Sequence, residues 1–157
     1  MKNVSAARSD LFTMKLRYCI LEHKDPRGDH FDLLLEQPET ELLAAWACDS
    51  IPETSCSTSA RRLFDHRRVY LQYEGEISGG RGSVCRVESG WFELIENSRQ
   101  RWEIRIIESD RRKIGSRIVL QRIDSASQMI DEVPGSETDR PSDTESEKWM
   151  CRFSEPE

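Results

Sequence analysis

At 157 residues, with 33% of its side chains charged and only 36% hydrophobic, the chain has room for one domain with a modest core and a polar remainder. Its net charge of −6 belongs to one end: residues 124 to 157 carry ten acidic and three basic side chains, net −7, so the rest is net +1 and does not exclude a nucleic-acid partner. No run approaches the ~20 apolar residues that span a bilayer, no apolar segment of a signal peptide precedes Asp10, and the five scattered cysteines (Cys19, Cys48, Cys56, Cys85, Cys151) form no C-x-x-C pair, which argues against a disulfide framework or a structural zinc site and for a reducing cytoplasm.

Residues 1–13 are a polar lead-in. From Met14 the pattern turns to strands: Leu16–Glu22, then His30–Glu36, then Leu42–Cys48, whose alanines leave a short helix open as an alternative. Ser50–Ala60 is rich in Ser, Thr and Pro and is expected to be a surface loop. Arg61–Tyr73 is expected to be a turn or short helix leading into a strand. The glycine-rich ISGGRGSV, residues 77 to 84, lacks the lysine and helix start of a P-loop and is expected to bend between strands. Ser83–Glu88, Trp91–Glu96, Trp102–Ile107 and Arg117–Ile123 follow as further strands, the first two separated by a break at Ser89–Gly90. Cys19, Cys48 and Cys85 sit in apolar runs and are expected to be small buried hydrophobes. About eight strands with short turns, and no helical period beyond one or two short helices, predict a compact antiparallel or mixed β-barrel over residues 14–124. Residues 125–157 are dominated by Ser, Asp, Glu, Thr and Pro and are expected to be a disordered acidic tail, dispensable for folding. Its small apolar cluster of Trp149, Met150 and Phe153 is expected to be inert.

Two stretches carry chemistry. In EHKDPRGDHFDLLLE, residues 22 to 36, His30 and Asp32 are two apart on a strand and therefore share a face, with Phe31 and Leu33 on the other. The Lys24–Asp29 turn brings His23 back beside them. Two imidazoles and a carboxylate suit Mn, Fe or Zn rather than Ca; the competing reading is an ordinary polar turn. In DHRRVYLQYEG, residues 65 to 75, His66 and Tyr70 stand among arginines, a donor set suited to holding a phosphate, or equally an exposed basic turn.

Together the two stretches resemble the 3′-phosphoesterase module found at the N-terminus of bacterial DNA ligase D and in short stand-alone proteins. The likeness rests on His23, His30-Phe31-Asp32 and Leu35-Glu36, then on Asp65-His66, Tyr70, Glu74-Gly75 and Gly79-Gly80-Arg81-Gly82, and spans residues 16–123. It implies a compact β-barrel and a Mn2+-dependent enzyme (or one using another divalent metal such as Zn2+) that removes a terminal ribonucleoside or a 3′-phosphate from nucleic acid. His23, His30 and Asp32 would be metal ligands, with His66 and Tyr70 as catalytic phosphate contacts. The chain departs from the family in carrying Leu34 where the ligase modules have a phosphate-holding arginine. A second arginine, upstream of the third histidine, has no equivalent at the same spacing; Arg61 or Arg62 lies near that position, with Arg81 in reserve. The gap between His23 and His30 is one residue longer.

The expected function is a phosphoesterase on DNA or RNA 3′ ends, acting as a monomer off the membrane in the cytoplasm, with a ligase or other end-joining protein as partner. The alternatives are a catalytically weakened module that binds metal and nucleic-acid ends, favoured by Leu34, and a non-haem iron oxygenase using His30, Asp32 and His66.

Overall fold

The computed structural model describes residues 14–51, 56–123 and 147–156; the lead-in and most of the expected acidic tail lie outside the described residues. Among the described residues there are nine strands: β1 (Lys15–Lys24), β2 (His30–Gln37), β3 (Thr40–Cys48), β4 (Ser57–His66), β5 (Gly75–Glu76), β6 (Ser83–Asn97), β7 (Arg101–Ser109), β8 (Arg117–Arg122) and β9 (Lys148–Ser154). They hydrogen-bond in the order β1-β2-β3-β4-β9-β8-β7-β6, and a long antiparallel β1–β6 pairing closes the ring. The result is a closed eight-stranded antiparallel barrel, with β5 as a two-residue flap on β6. Closure leaves the eight barrel strands without a free edge, which removes the usual liability of an all-β fold. Among the described residues the expected helices reduce to one 3-10 turn, Arg68–Leu71, and no helix is long and apolar enough to cross a membrane.

Period-two alternation builds the interior. Leu16, Tyr18 and Ile20 of β1, Leu33 and Leu35 of β2, Ile104 and Ile106 of β7, and Ile118 and Leu120 of β8 all face inward. Trp46 sits among them, with the Trp102 and Trp149 rings edge-on at 5.2 and 5.5 Å. A second apolar cluster lies outside the barrel wall. Cys19 and Leu21 of β1, Leu34 of β2, and Leu43 and Ala45 of β3 are covered there by Leu71 of the 3-10 turn and by Val84, with Tyr70 packed alongside. This outer cluster matters to the site, because it ends where His23, His30 and Asp32 begin.

Several expectations are corrected. The C-terminal apolar cluster is not inert: β9 inserts between β4 and β8, and Trp149, Cys151 and Phe153 fill the core. Their i, i+2, i+4 spacing is a strand signal, hidden by the acidic composition around it. The predicted loop at 50–60 ends early, since Ser57 already starts β4; the strand therefore precedes the 3-10 turn instead of following it. Ser89–Gly90 is no break. Strand β6 runs through it, and a Cβ at Gly90 would lie 2.0 Å from the Glu108 carbonyl oxygen, so the glycine serves close approach to β7. Cys19 and Cys48 are buried as expected, but Cys85 is exposed.

Candidate metal centre and its cleft

On the outer face of β1, Cys19, Leu21 and His23 follow one another at two-residue steps, and on β2 the matching positions are Leu34, Asp32 and His30. His23 is paired directly with His30, and Leu21 with Asp32. The apolar pairs close the outer cluster, and the polar pairs continue it into solvent as a site. The His23 and His30 rings are 4.6 Å apart, centroid to centroid. His30 and Asp32 share a face, and Phe31 and Leu33 point into the barrel.

Asp32 is the pivot. It is only 3% exposed. Its Oδ2 accepts from His23 Nδ1 at 3.2 Å, and its Oδ1 lies 3.0 Å from His30 Nε2 without making a hydrogen bond to any group. Burial pushes the carboxyl pKa upward, but the two imidazoles outweigh it and hold Asp32 below the usual carboxylate range. The Asp32 bond in turn raises His23; burial works against the shift, and the contact with the Arg81 carbonyl supports it.

The partners of His23 define its state. Nδ1 faces a carboxylate and Nε2 faces the Arg81 carbonyl oxygen at 2.9 Å, and both are acceptors. Both ring nitrogens thus face acceptors, an arrangement that favours the protonated imidazolium between Asp32 and the glycine-rich turn and agrees with the raised pKa. The turn can reach it because Gly82, at φ +91°, packs its α-carbon against the Lys24 carbonyl; a Cβ there would sit 1.9 Å from that oxygen. The glycine-rich segment does bend between strands, and it also supplies a carbonyl to the site.

One residue of the centre escaped the sequence reading. His23, Asp25 and His30 each offer a donor atom, and all three atoms lie within 4.8 Å of one another, a candidate metal-binding group. Asp25 stands two residues beyond His23 as Asp32 stands two beyond His30, so His23-Lys24-Asp25 is a second His-x-Asp that the sequence displayed. The Asp25 carboxylate is held by the Arg27 amide at 2.9 Å and lies 3.8 Å from His23 Nε2. The three residues fit a divalent cation with a mixed N/O donor set of imidazole nitrogen and carboxylate oxygen; Asp32, expected as a ligand, is not in that group, and its buried Oδ1 stands beside His30 without a hydrogen bond. For His23 to ligate, it must first give up one of its two hydrogen bonds and a proton.

The cross-strand row through Asp32 continues to Ala47 on β3 and Arg61 on β4. Arg61 therefore stands on the same outer face, two strands away, with only a methyl group between. Arg62 faces the other way: its guanidinium lies 4.6 Å from the Trp46 ring centroid and bonds the Ala45 and Leu63 carbonyls and Asp65. Register shifts on β4 between Leu63 and His66. The extra residue is a β-bulge, and it returns His66 to the outer face where strict alternation would have turned it away. His66 Nδ1 donates to the Phe64 carbonyl at 2.9 Å, which leaves Nε2 for the cleft. Tyr70 meets the His66 ring edge-on at 5.7 Å.

A cleft of about 890 Å³ is lined by His23, His30, Asp32, Arg61, Arg62, His66 and Arg81, and by Asp25. Tyr70 lines an adjoining hollow of about 310 Å³ together with His23, Asp32, His66 and Arg81. Leu34 is in neither: it is fully buried in the outer cluster beneath the 3-10 turn. His66 is not among the donor atoms that converge with His23 and His30. No family model and no curated protein matches the chain.

Proposed function

We propose that this chain is a metal-dependent phosphoesterase acting on the 3′ ends of nucleic acid, removing a 3′-phosphate or a terminal ribonucleoside, with Mn2+ as the metal and DNA or RNA ends as the substrate in the cytoplasm. The observation that carries the reading is the shared cleft. Residues from β1, β2, β4 and the glycine-rich turn, distant in sequence, line one hollow in which a buried carboxylate and two imidazoles face exposed arginines.

His30, Asp25 and Asp32, with His23 once it has released a bond, would hold the metal, which supplies a Lewis acid for a phosphate oxygen and acidifies a water. Arg61 and Arg81 offer the charge that a phosphate dianion needs, and the reach of Arg61 across Ala47 compensates for the apolar residue at Leu34. His66, with Nδ1 committed to the Phe64 carbonyl, presents Nε2 to donate to a phosphate oxygen or to the leaving oxygen. Tyr70 adds a hydroxyl from the adjoining hollow. A ligase or other end-joining enzyme would take the 3′-hydroxyl produced.

The test is release of phosphate from a 3′-phosphorylated primer in the presence of Mn2+. The His66→Ala protein should turn over about 10²-fold more slowly while binding Mn2+ as before, because His66 lies outside the ligand group. A natural protein that releases neither phosphate nor ribonucleoside from any 3′ end would sink the proposal. A second reading, a module that binds metal and nucleic-acid ends without turnover, draws on the burial of Leu34 and the double engagement of His23. It predicts oligonucleotide binding without release.

A further inference from the structure

Phe64 is 91% exposed, far more than any other large hydrophobic side chain among the described residues. It contributes nothing to either apolar cluster. Its position follows from the β4 bulge: the register shift that returns His66 to the outer face pushes the residue before Asp65 out of the pleat. The ring therefore stands at the lip of the metal cleft, and it also borders a second cleft of about 860 Å³ on its other side, where Arg99 and Arg122 lie.

Arginines outnumber acidic side chains along the two clefts, although Arg122 pairs with Glu147 at 3.9 Å, Glu147 borders both clefts and Asp65 borders the second. Arg61 on the metal side and Arg99 on the far side have no acidic partner among the described residues, and Arg81 bonds only the Ser78 carbonyl. An exposed aromatic ring flanked on both sides by arginines is the arrangement that single-stranded nucleic acid recognises: a base stacks on the ring and the phosphates follow the charge. Both clefts fall within the volume range of small-ligand pockets, enough for a few nucleotides of one strand.

We propose that Phe64 is the stacking platform for a base at a single-stranded 3′ end, with the last phosphate in the metal cleft and the preceding strand crossing the ring toward Arg99 and Arg122. The inference rests on the phosphoesterase reading for the identity of the end. It assigns the substrate class, an unpaired 3′ terminus, and gives Phe64 a positioning role.

The test is fluorescence anisotropy with a short 5′-fluorescein oligodeoxynucleotide bearing a 3′-phosphate, single-stranded or annealed to its complement as a blunt duplex, each with Mn2+ and with EDTA. The single strand should bind more tightly than the duplex. Phe64→Ala should weaken it about 10-fold with an unchanged melting temperature, while Phe64→Trp retains binding and its indole emission is quenched by the oligonucleotide. Arg99→Ala should lower the slope of log affinity against log salt by about one. The proposal is overturned if Phe64→Ala binds within about two-fold of the natural protein, or if the duplex binds as tightly as the single strand. Phosphate release is measured separately on the same samples. Phe64-dependent binding without any release would defeat the phosphoesterase reading and leave this one standing, whereas release with binding and KM indifferent to Phe64 would do the reverse.

Discussion

Under the phosphoesterase reading Leu34 occupies a position where a phosphate-holding arginine would be expected, and the structure determines what introducing one would do. Leu34 is fully buried between Cys19 on β1 and Ala45 on β3, under Leu71 and Val84. Replacing it with arginine removes about 2 kcal/mol of apolar burial. It also introduces an unpaired charge whose desolvation costs several kcal/mol. The sum, on the order of 5 kcal/mol, is comparable with the whole stability of a small domain. At roughly 4 °C per kcal/mol for a domain of this size, the melting temperature should fall by about 20 °C. Thermal melts by circular dichroism measure this directly, with Leu34→Met as a volume-conserving control that should cost under about 1.5 kcal/mol. Phosphate release should not improve, because the position beneath the 3-10 turn is already filled by apolar side chains. A Leu34→Arg protein that melts within about 3 °C of the natural one and gains activity would refute the reasoning: the outer cluster would then have kept a slot for the arginine.

Other outcomes follow from the packing and the charges. Trp149→Ala should cost about 3 to 5 kcal/mol in urea unfolding, and truncation after Ile123 should abolish the native fold, since among the described residues β9 is what joins β4 to β8; an unchanged melt on truncation would contradict both. Gly90→Ala should destabilise by about 2 kcal/mol or more, because its Cβ would meet the Glu108 carbonyl at 2.0 Å, and a neutral effect would mean that β6 and β7 separate freely. The raised pKa of His23 gives stability that is full below about pH 6.5 and lost as pH rises through the raised value, whereas the lowered pKa of Asp32 gives stability that is full above about pH 4 and lost as pH falls through the lowered value. In metal-free protein the stability difference between natural protein and Asp32→Asn should therefore peak between about pH 4 and pH 6.5, and a difference still growing above pH 8 would exclude the imidazolium assignment. Mn2+ affinity, read by titration calorimetry, should rise across the range where His23 loses its proton.

The barrel was legible because apolar and charged residues alternate along most of β7, because β8 is a short apolar run between charged ends, and because the turns at Asn97–Ser98 and Asp110–Gly115 carry ordinary breakers. The grouping of His23, His30 and Asp32 was legible for the same reason: the period of two puts His30 beside Asp32, and the turn after Lys24 has the length of a short hairpin. What failed were inferences from composition and from glycine. Acidic, serine-rich surroundings concealed Trp149, Cys151 and Phe153, and Gly90 resembled a break because a sequence does not distinguish a turn glycine from one that admits a neighbouring backbone. The bulge at Phe64–Asp65 was invisible, since nothing local marks the extra residue; it appears only when Leu43 is found opposite His66. Asp25 was missed because Pro26 and Gly28 drew the segment into a turn reading, although it repeats the His-x-Asp pattern.

The insertion of β9 has a consequence for how the molecule comes into being. Strand β4 is finished at His66, and the strand that pairs with it begins about 80 residues later. At synthesis rates of roughly 5 to 20 residues per second, β4 waits several seconds with its edge open, and β8 waits more briefly with its own. Two unpaired edges separated by one strand's width form a ready template for any extended segment. In sequence, 23 residues separate Ile123 from Glu147. High chain concentration should thus favour strand exchange between chains, in which each barrel would be completed by its neighbour's Trp149, Cys151 and Phe153.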